Sequence, residues 1–369
     1  MLPFIPLYIQ ELGVTSANEL RFWVGLLTAA PSLLLGIMAP VWGILADRWG
    51  RKTMMLRAMA TGSLIVFLMG LAKNVETVLL LRICQGLFTG TITASATLVA
   101  SGTPRNRLSY ALGFLSSSTF IGFSFGPFIG GMLAEYLGFK TTFFIGSLIV
   151  FTGFIMVLLV TKEITIEEPE HAKKTTAFSL KTMLIRPFPI LFILIFLVRF
   201  SRMLAVPFIP LYIQELRQSM QGISAITGII SALAGLATAL AGLTIVRLGD
   251  KYNRLFLIAI LLGFSSIFSL PIFFTHGLLY FTIFYLAAIF FVGAIEPLMQ
   301  AYLSAKIHPD NRGVIMGLQA SAGSFGWFLS PLAASSISIY FSIKHIFLLF
   351  SISLFINFII VSIYNRKMK

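Results

Sequence analysis

Four charged residues stand where charge is expensive. Arg82, Arg199, Arg202 and Glu296 each lie inside a long apolar stretch of the 369-residue chain. An ionised side chain at the middle of a membrane-crossing helix costs ~2.5–3.5 kcal/mol on insertion scales, so such a residue is expected to serve a function. Arg199 and Arg202 are three apart and share one helix face. Glu296, in GAIEPLMQ just before Pro297, is the one carboxylate of the set. Desolvation favours its neutral form and a nearby arginine favours its charged form, and a group that takes and gives protons needs that competition. The plainer alternative is a static Glu–Arg ion pair that fixes two helices. Arg82 lies past Glu76 on the outer side, with Gln85 one turn away on the same face. Either it takes part in the chemistry or it snorkels to the nearer interface. Three arginines against one glutamate favour anionic or zwitterionic ligands. Phe200, Trp327 and Tyr302 are candidates for the apolar wall of a cavity.

The elements that carry these residues are membrane helices. The chain is 57% hydrophobic and only 11% charged, against about a quarter charged in a soluble domain. Apolar spans run over 22–46, 54–72, 75–100, 107–137, 139–161, 188–212, 220–246, 254–274, 277–305, 312–337 and 343–364, with a stub at 1–10. Lipid offers no partners for free backbone groups, so these spans are helices. The net charge of +14 invites a nucleic-acid reading. Most of the 27 Lys and Arg, however, fall on the side that holds Arg48, Arg51 and Lys52. That asymmetry marks this side as cytoplasmic and points to anionic lipid headgroups, not to nucleic acid.

Other chemistry is not indicated. The single Cys84 excludes a disulfide within the chain, and the four His do not cluster with it at metal-ligand spacing. No phosphate-binding loop ending in Gly-Lys-Ser/Thr occurs, nor a Ser/His/Asp set in a credible context. We expect no enzyme, no cofactor and no direct use of ATP.

The stretch PFIPLYIQEL occurs twice, at 3–12 and at 207–216. Other landmarks repeat in the same order. GILADRWGRK (43–52) pairs with GLTIVRLGDK (242–251), TPRNR (103–107) with HPDNR (308–312), and Pro127 with Pro331. The chain therefore reads as a parallel repeat: a first helix bundle at 1–161, a polar cytoplasmic linker at 162–187 and a second bundle at 188–369. About twenty residues lead into the second copy of the stretch and only Met1 and Leu2 into the first. Helix 1 is expected to be cut short, by a start assigned too late or by a true truncation.

Two glycine-bearing motifs stand out. In GILADRWGRK, Gly43 and Gly50 permit a tight turn, Asp47 can accept hydrogen bonds, and Arg48, Arg51 and Lys52 face the cytoplasm. This is a conformational latch or an ordinary basic membrane anchor. In GFSFGPFIGG (122–131), Gly122, Gly126 and Gly130 recur every four residues beside Pro127 and Gly131. Such a stripe lets another helix pack closely, and proline can bend the helix.

These residues carry a family resemblance. Residues 43–52 match every fixed position of G-x-L-A-D-R-x-G-R-K, the signature of the major facilitator superfamily between helices 2 and 3. LRICQG (81–86) resembles its R-x-x-Q-G signature, and 122–131 is similar to the helix 5 signature of its exporters. The chain looks most like the drug:proton antiporter group. The resemblance implies an all-α membrane protein of two six-helix bundles that exports small amphiphilic compounds, multidrug-type, in exchange for protons. It implies gating by Asp47 and its neighbours, and a bacterial inner membrane as the setting. Small-molecule substrate, protons and lipids are the implied partners, and one chain can suffice because it holds both halves. Proton coupling is then assigned to Glu296 and Arg82, and the substrate cavity to Arg199, Arg202 and Glu296. In the second copy Val246 replaces the acid, which removes that latch. An importer or facilitator on the same fold, or a truncated non-transporting protein, is the alternative.

Overall fold

The computed structural model describes residues 2–104, 107–163, 188–306 and 312–367. Most of the expected linker, with the connectors at 105–106 and 307–311, lies outside the described residues. All regular structure in the described part is helical.

In the first half, a 3-10 turn at Leu2–Phe4 leads into α1 (Ile5–Glu11), then α2 (Ala17–Trp49), α3 (Arg51–Met69), α4 (Val75–Phe88), α5 (Thr91–Gly102) and α6 (Leu108–Val160). The second half holds α7 (Phe188–Ala205), α8 (Ile209–Arg217), α9 (Ile223–Thr244), α10 (Arg254–Ser269), α11 (Leu278–Gly293), α12 (Ile295–Lys306), α13 (Arg312–Tyr340) and α14 (Lys344–Lys367). These segments form the twelve helices of the expected fold, several of them broken. α4 and α5 are one path interrupted at Thr89–Gly90, where Gly90 has φ +123°. α6 contains two helices that meet at Gly138, with φ +78°. α7 and α8 continue each other through a 3-10 turn, within a span of 29 residues from Pro189 to Arg217. Among the described residues, eight helical stretches are long and apolar enough to cross a membrane. The path at Leu2–Glu11 is too short to do so.

The duplicated stretch forms the centre of the packing. Phe4, Ile5, Leu7, Tyr8 and Ile9 are buried, as are their equivalents Phe208, Ile209, Leu211, Tyr212 and Ile213. Tyr8 Oη donates to the Met69 carbonyl at the end of α3. Its counterpart Tyr212 Oη donates to the Ile272 carbonyl just past α10, at 3.2 Å. One tyrosine per half thus fastens its first helix to the end of its third.

The two bundles touch along two seams. On one, Gly25 of α2 lies against Ser335 and the Pro331 carbonyl of α13, and Ser335 Oγ donates to the Arg21 carbonyl at 2.8 Å. On the other, Gly131 of α6 lies against Gly228 of α9, and Glu135 accepts from the Gly222 and Ser224 amides at 2.8 and 3.2 Å. These contacts sit at the outer end. Towards the basic side, Gly43, Gly113 and Gly242 have nothing within 4 Å of where a Cβ would stand. The close contacts between the bundles at Gly25 and Gly131 thus have no counterpart at these three glycines.

The helix 5 stripe needs correction. Gly122 and Gly126 face open space, and Gly130 meets only the Phe4 ring. Close approach is made by Gly131, where a methyl group would run into the Ser224 carbonyl and Gly228, and by Ser124 against Gly235. Spacing by four drifts around a helix of 3.6 residues per turn, so the seam runs one residue off the stripe. α6 continues as helix through Pro127.

Candidate functional site

Three of the four interior charges meet in the second bundle. Pro297 cannot donate to the preceding turn, and α11 gives way to α12 at Ala294, which places Glu296 in the first turn of α12. Arg199 and Arg202 approach it from one face of α7. Arg199 donates to Oε1 of Glu296 through Nε at 3.1 Å and Nη2 at 2.7 Å. Arg202 donates to Oε2 through Nη1 at 3.1 Å. The side chains are 15%, 34% and 25% exposed for Arg199, Arg202 and Glu296, so the group is shielded but reachable. Its net charge is +1.

The neighbours hold this geometry. The Arg199 guanidinium lies over the Trp327 ring, 4.9 Å from its centroid. Gly323 and Gly326 of α13 make the room: a Cβ at 323 would collide with the Arg199 guanidinium, and one at 326 with the Phe196 carbonyl and Phe200 amide. Ser330 Oγ then donates to the Phe200 carbonyl at 2.6 Å. The helix pair is clamped against Arg199. Both oxygens of Glu296 are engaged, so protonating the carboxyl weakens its hold on two cations at once. The arrangement can therefore couple a proton to the position of two arginines.

Arg82 lies in the other bundle and does not join this group. It is buried, which excludes snorkelling. Its Nε donates to the Leu27 carbonyl at 3.0 Å and its Nη1 to Gln85 Oε1 at 2.6 Å. Leu27 precedes Pro31 by four residues, and proline has no N–H to give it. Arg82 satisfies the carbonyl that Pro31 leaves open. Gly86, one helical turn past Arg82, abuts Pro31 directly: a methyl group there would strike its carbonyl and Cα. R-x-x-Q-G is, in this protein, the surface that docks α4 on a proline in α2.

On the cytoplasmic side the motif at 43–52 is tied to its own bundle. Gly50 has φ +94°, a left-handed turn that favours glycine, and leaves room for the Glu163 carboxylate. Glu163 accepts from the Lys52 and Thr53 amides at 3.0 and 3.1 Å, capping the start of α3. Lys52 Nζ donates to the Leu158 carbonyl at 2.9 Å, and Arg51 Nη1 to the Thr97 carbonyl at 3.3 Å. Arg48 is exposed, and the Asp47 side chain lies outside the described ones. Sequence reasoning missed Glu163 because it opens the polar linker. The signal was an acid just after helix 6 facing a helix start that carries only basic residues.

The family model for the Major Facilitator Superfamily matches residues 1–229 and again 191–367. The chain belongs to the major facilitator superfamily. The multidrug resistance protein MdtG of Escherichia fergusonii is 32% identical to it over 368 residues, 97% of this chain and 88% of the relative. The multi-drug resistance efflux pump PmrA homolog of Lactococcus lactis is 33% identical, over 100% of this chain and 91% of the relative. Among solved structures, a bacterial homolog to the human lysosomal transporter Spinster, inward-facing and occupied, superposes with a TM-score of 0.81 at 16% identity, covering 99% and 93%. The human organic anion transporter MFSD10 does so at 0.69 and 17%, covering 98% and 89%. These two share the fold. As a superfamily member the chain is a multi-pass membrane transporter for a small-molecule substrate, and not an enzyme.

Proposed function

We propose that this transporter exports small amphiphilic compounds of the multidrug type in exchange for protons, by alternating access across a bacterial inner membrane. The similarity to a multidrug resistance protein and to a multi-drug resistance efflux pump supports efflux of drugs. The observation that carries the coupling is the Glu296 carboxylate gripped by Arg199 and Arg202. In this reading the inward-open form holds Glu296 ionised, with both arginines paired. Outside, Glu296 takes a proton and the arginines loosen. Inside, substrate enters beside Trp327, Glu296 returns its proton to the cytoplasm, and the pairs re-form. Asp47, with Gly43, Gly50, Arg48, Arg51 and Lys52, would close the cytoplasmic end in the opposite state. Arg82 would transmit the movement of α2 to α4 during the cycle.

Proton release on ligand addition tests this at weakly buffered pH in detergent. Wild type is compared with Glu296→Gln over anionic, zwitterionic and cationic amphiphiles. Release from wild type alone supports exchange through this carboxyl. Equal release from both proteins makes Glu296 a structural residue and sinks the reading.

A further inference from the structure

Arg57 is a charged residue that the transport cycle above does not use. It lies one turn past Thr53 on α3, ~9 Å along the helix from its cytoplasmic start. Its guanidinium sits over the Trp42 ring of α2, 3.3 Å from the centroid. That ring is itself pinned. Trp42 Nε1 donates to the Leu87 carbonyl at 2.7 Å, and the indole packs beside Phe88 at 6.4 Å between centroids. The interruption of α4 at Thr89–Gly90 ends its helical ladder and leaves these carbonyls open. Phe88 offers its own to Thr61 Oγ1 at 3.1 Å. Three helices thus build a fixed aromatic platform beneath one arginine.

Arg57 Nε and Nη1 are buried and have no acceptor among the described residues. No salt bridge to Arg57 exists among the described residues, and the carboxylate of Glu163 is turned to the Lys52 and Thr53 amides. A cation–π contact compensates part of the charge's lost hydration but fills none of its N–H groups. Arg57 as a whole is half-buried, and a guanidinium held flat on a ring with no carboxylate paired to it among the described residues is complementary to an oxyanion with several acceptors. Its depth and side are those of the cytoplasmic leaflet, where anionic headgroups gather and where tryptophan belongs.

We propose that Arg57 on its Trp42 platform binds a phosphate-ester oxyanion at the cytoplasmic end of the first bundle. The site is independent of Glu296, which lies in the other bundle. Its ligand is the headgroup of an inner-leaflet phospholipid or a soluble phosphate ester, and the two share the chemistry that Arg57 selects.

Native mass spectrometry of the purified protein in neutral maltoside micelles tests the site. Phosphatidylglycerol, diacylglycerol with the same chains, and glycerol 3-phosphate serve as probes. Wild type should retain one phosphatidylglycerol at least tenfold more tightly than Arg57→Gln, and diacylglycerol should not be retained. Competition by millimolar glycerol 3-phosphate identifies the soluble ester as the ligand; its failure to compete identifies the lipid. Equal retention of phosphatidylglycerol by wild type and Arg57→Gln, or retention of diacylglycerol as tight as that of the phospholipid, overturns the proposal. Should Arg57→Gln fail to fold, Arg57→Lys and Trp42→Leu take its place. Both should weaken retention several-fold, and unchanged retention in both overturns the proposal equally.

Discussion

The side-chain amides of Gln10 and Gln214 hydrogen-bond each other in both directions. Gln10 Nε2 donates to Gln214 Oε1 at 3.1 Å, and Gln214 Nε2 donates to Gln10 Oε1 at 2.9 Å. The two residues occupy the same place in the two copies of PFIPLYIQEL. A residue on a two-fold axis meets its own equivalent, so it must be complementary to itself. An amide is both donor and acceptor and satisfies this; a charge would repel its twin. That is a physical reason for keeping this part of the repeat alike in both halves. The pair links the bundles at their closed outer end.

Removing it should loosen that end. Gln10→Ala deletes one partner of a half-buried pair, a loss of about 1 kcal/mol, or roughly fivefold in the balance between outward-closed and outward-open forms. Spin-label distances between the outer ends of α2 and α13 should show the open population rising by that factor. Gln10→Glu places a charge beside Gln214 and still permits one bond, so its effect should be smaller. An unchanged distance distribution in Gln10→Ala would show that the apolar packing of Phe4 and Phe208 closes the end unaided.

Glu296 holds two cations, so its substitutions should act on stability as well as coupling. Glu296→Ala leaves Arg199 and Arg202 side by side with no counter-charge. The loss should be roughly 2–4 kcal/mol, below the figure for a fully buried pair because the carboxylate is partly exposed. Glu296→Gln keeps an acceptor for Arg199 and should melt between Ala and wild type. Arg202→Ala, at the more exposed end with one bond, should cost about 1 kcal/mol. Thermal unfolding in detergent ranks the three. The proposal for coupling predicts a different order for proton release, where Gln and Ala should be equally inactive.

How much of this was legible in the sequence follows from what the membrane constrains. Lipid demands long apolar helices, so the spans and the repeat could be read directly. Interior charges are few and need partners, which brought Arg199, Arg202 and Glu296 together on paper before the fold did. Azimuth was not legible. A stripe of Gly122, Gly126 and Gly130 announces a smooth face without saying which way it points, and the contact fell to Gly131. The break at Gly138 fell between the expected spans 107–137 and 139–161, whereas the one at Gly90 was hidden inside 75–100, because glycine is common in membrane helices for other reasons. Gly323 and Gly326 went unread because the room they make is for a side chain on another helix. Pro31 was passed over since the carbonyl it frees shows only when Arg82 is seen to fill it.

Those two glycines of α13 should respond differently to a methyl group. At 326 the methyl meets the backbone of α7, which cannot step aside, so Gly326→Ala should cost about 1–3 kcal/mol by overpacking. At 323 it meets the Arg199 guanidinium, which can move. Gly323→Ala should keep most of its stability and instead push Arg199 off Glu296. Transport measured against melting temperature separates them. Gly326→Ala should lose both together, and Gly323→Ala should lose transport with a melting point near wild type.

The last test concerns Arg82 and Pro31. Arg82→Met leaves the Leu27 carbonyl buried without a donor, a loss of about 1–3 kcal/mol. Pro31→Ala supplies that carbonyl with a helical N–H from residue 31, in competition with Arg82 Nε. Made alone, it should stabilise α2 little, because it displaces a buried cation from its acceptor. Made together with Arg82→Met, it should recover about 1 kcal/mol, since the helix then answers its own carbonyl and no charge remains. The double-mutant cycle should therefore show a coupling energy of about that size. Additive losses would mean that Arg82 and Pro31 act separately, and that the bond from Arg82 to Leu27 contributes little to holding α4 against α2.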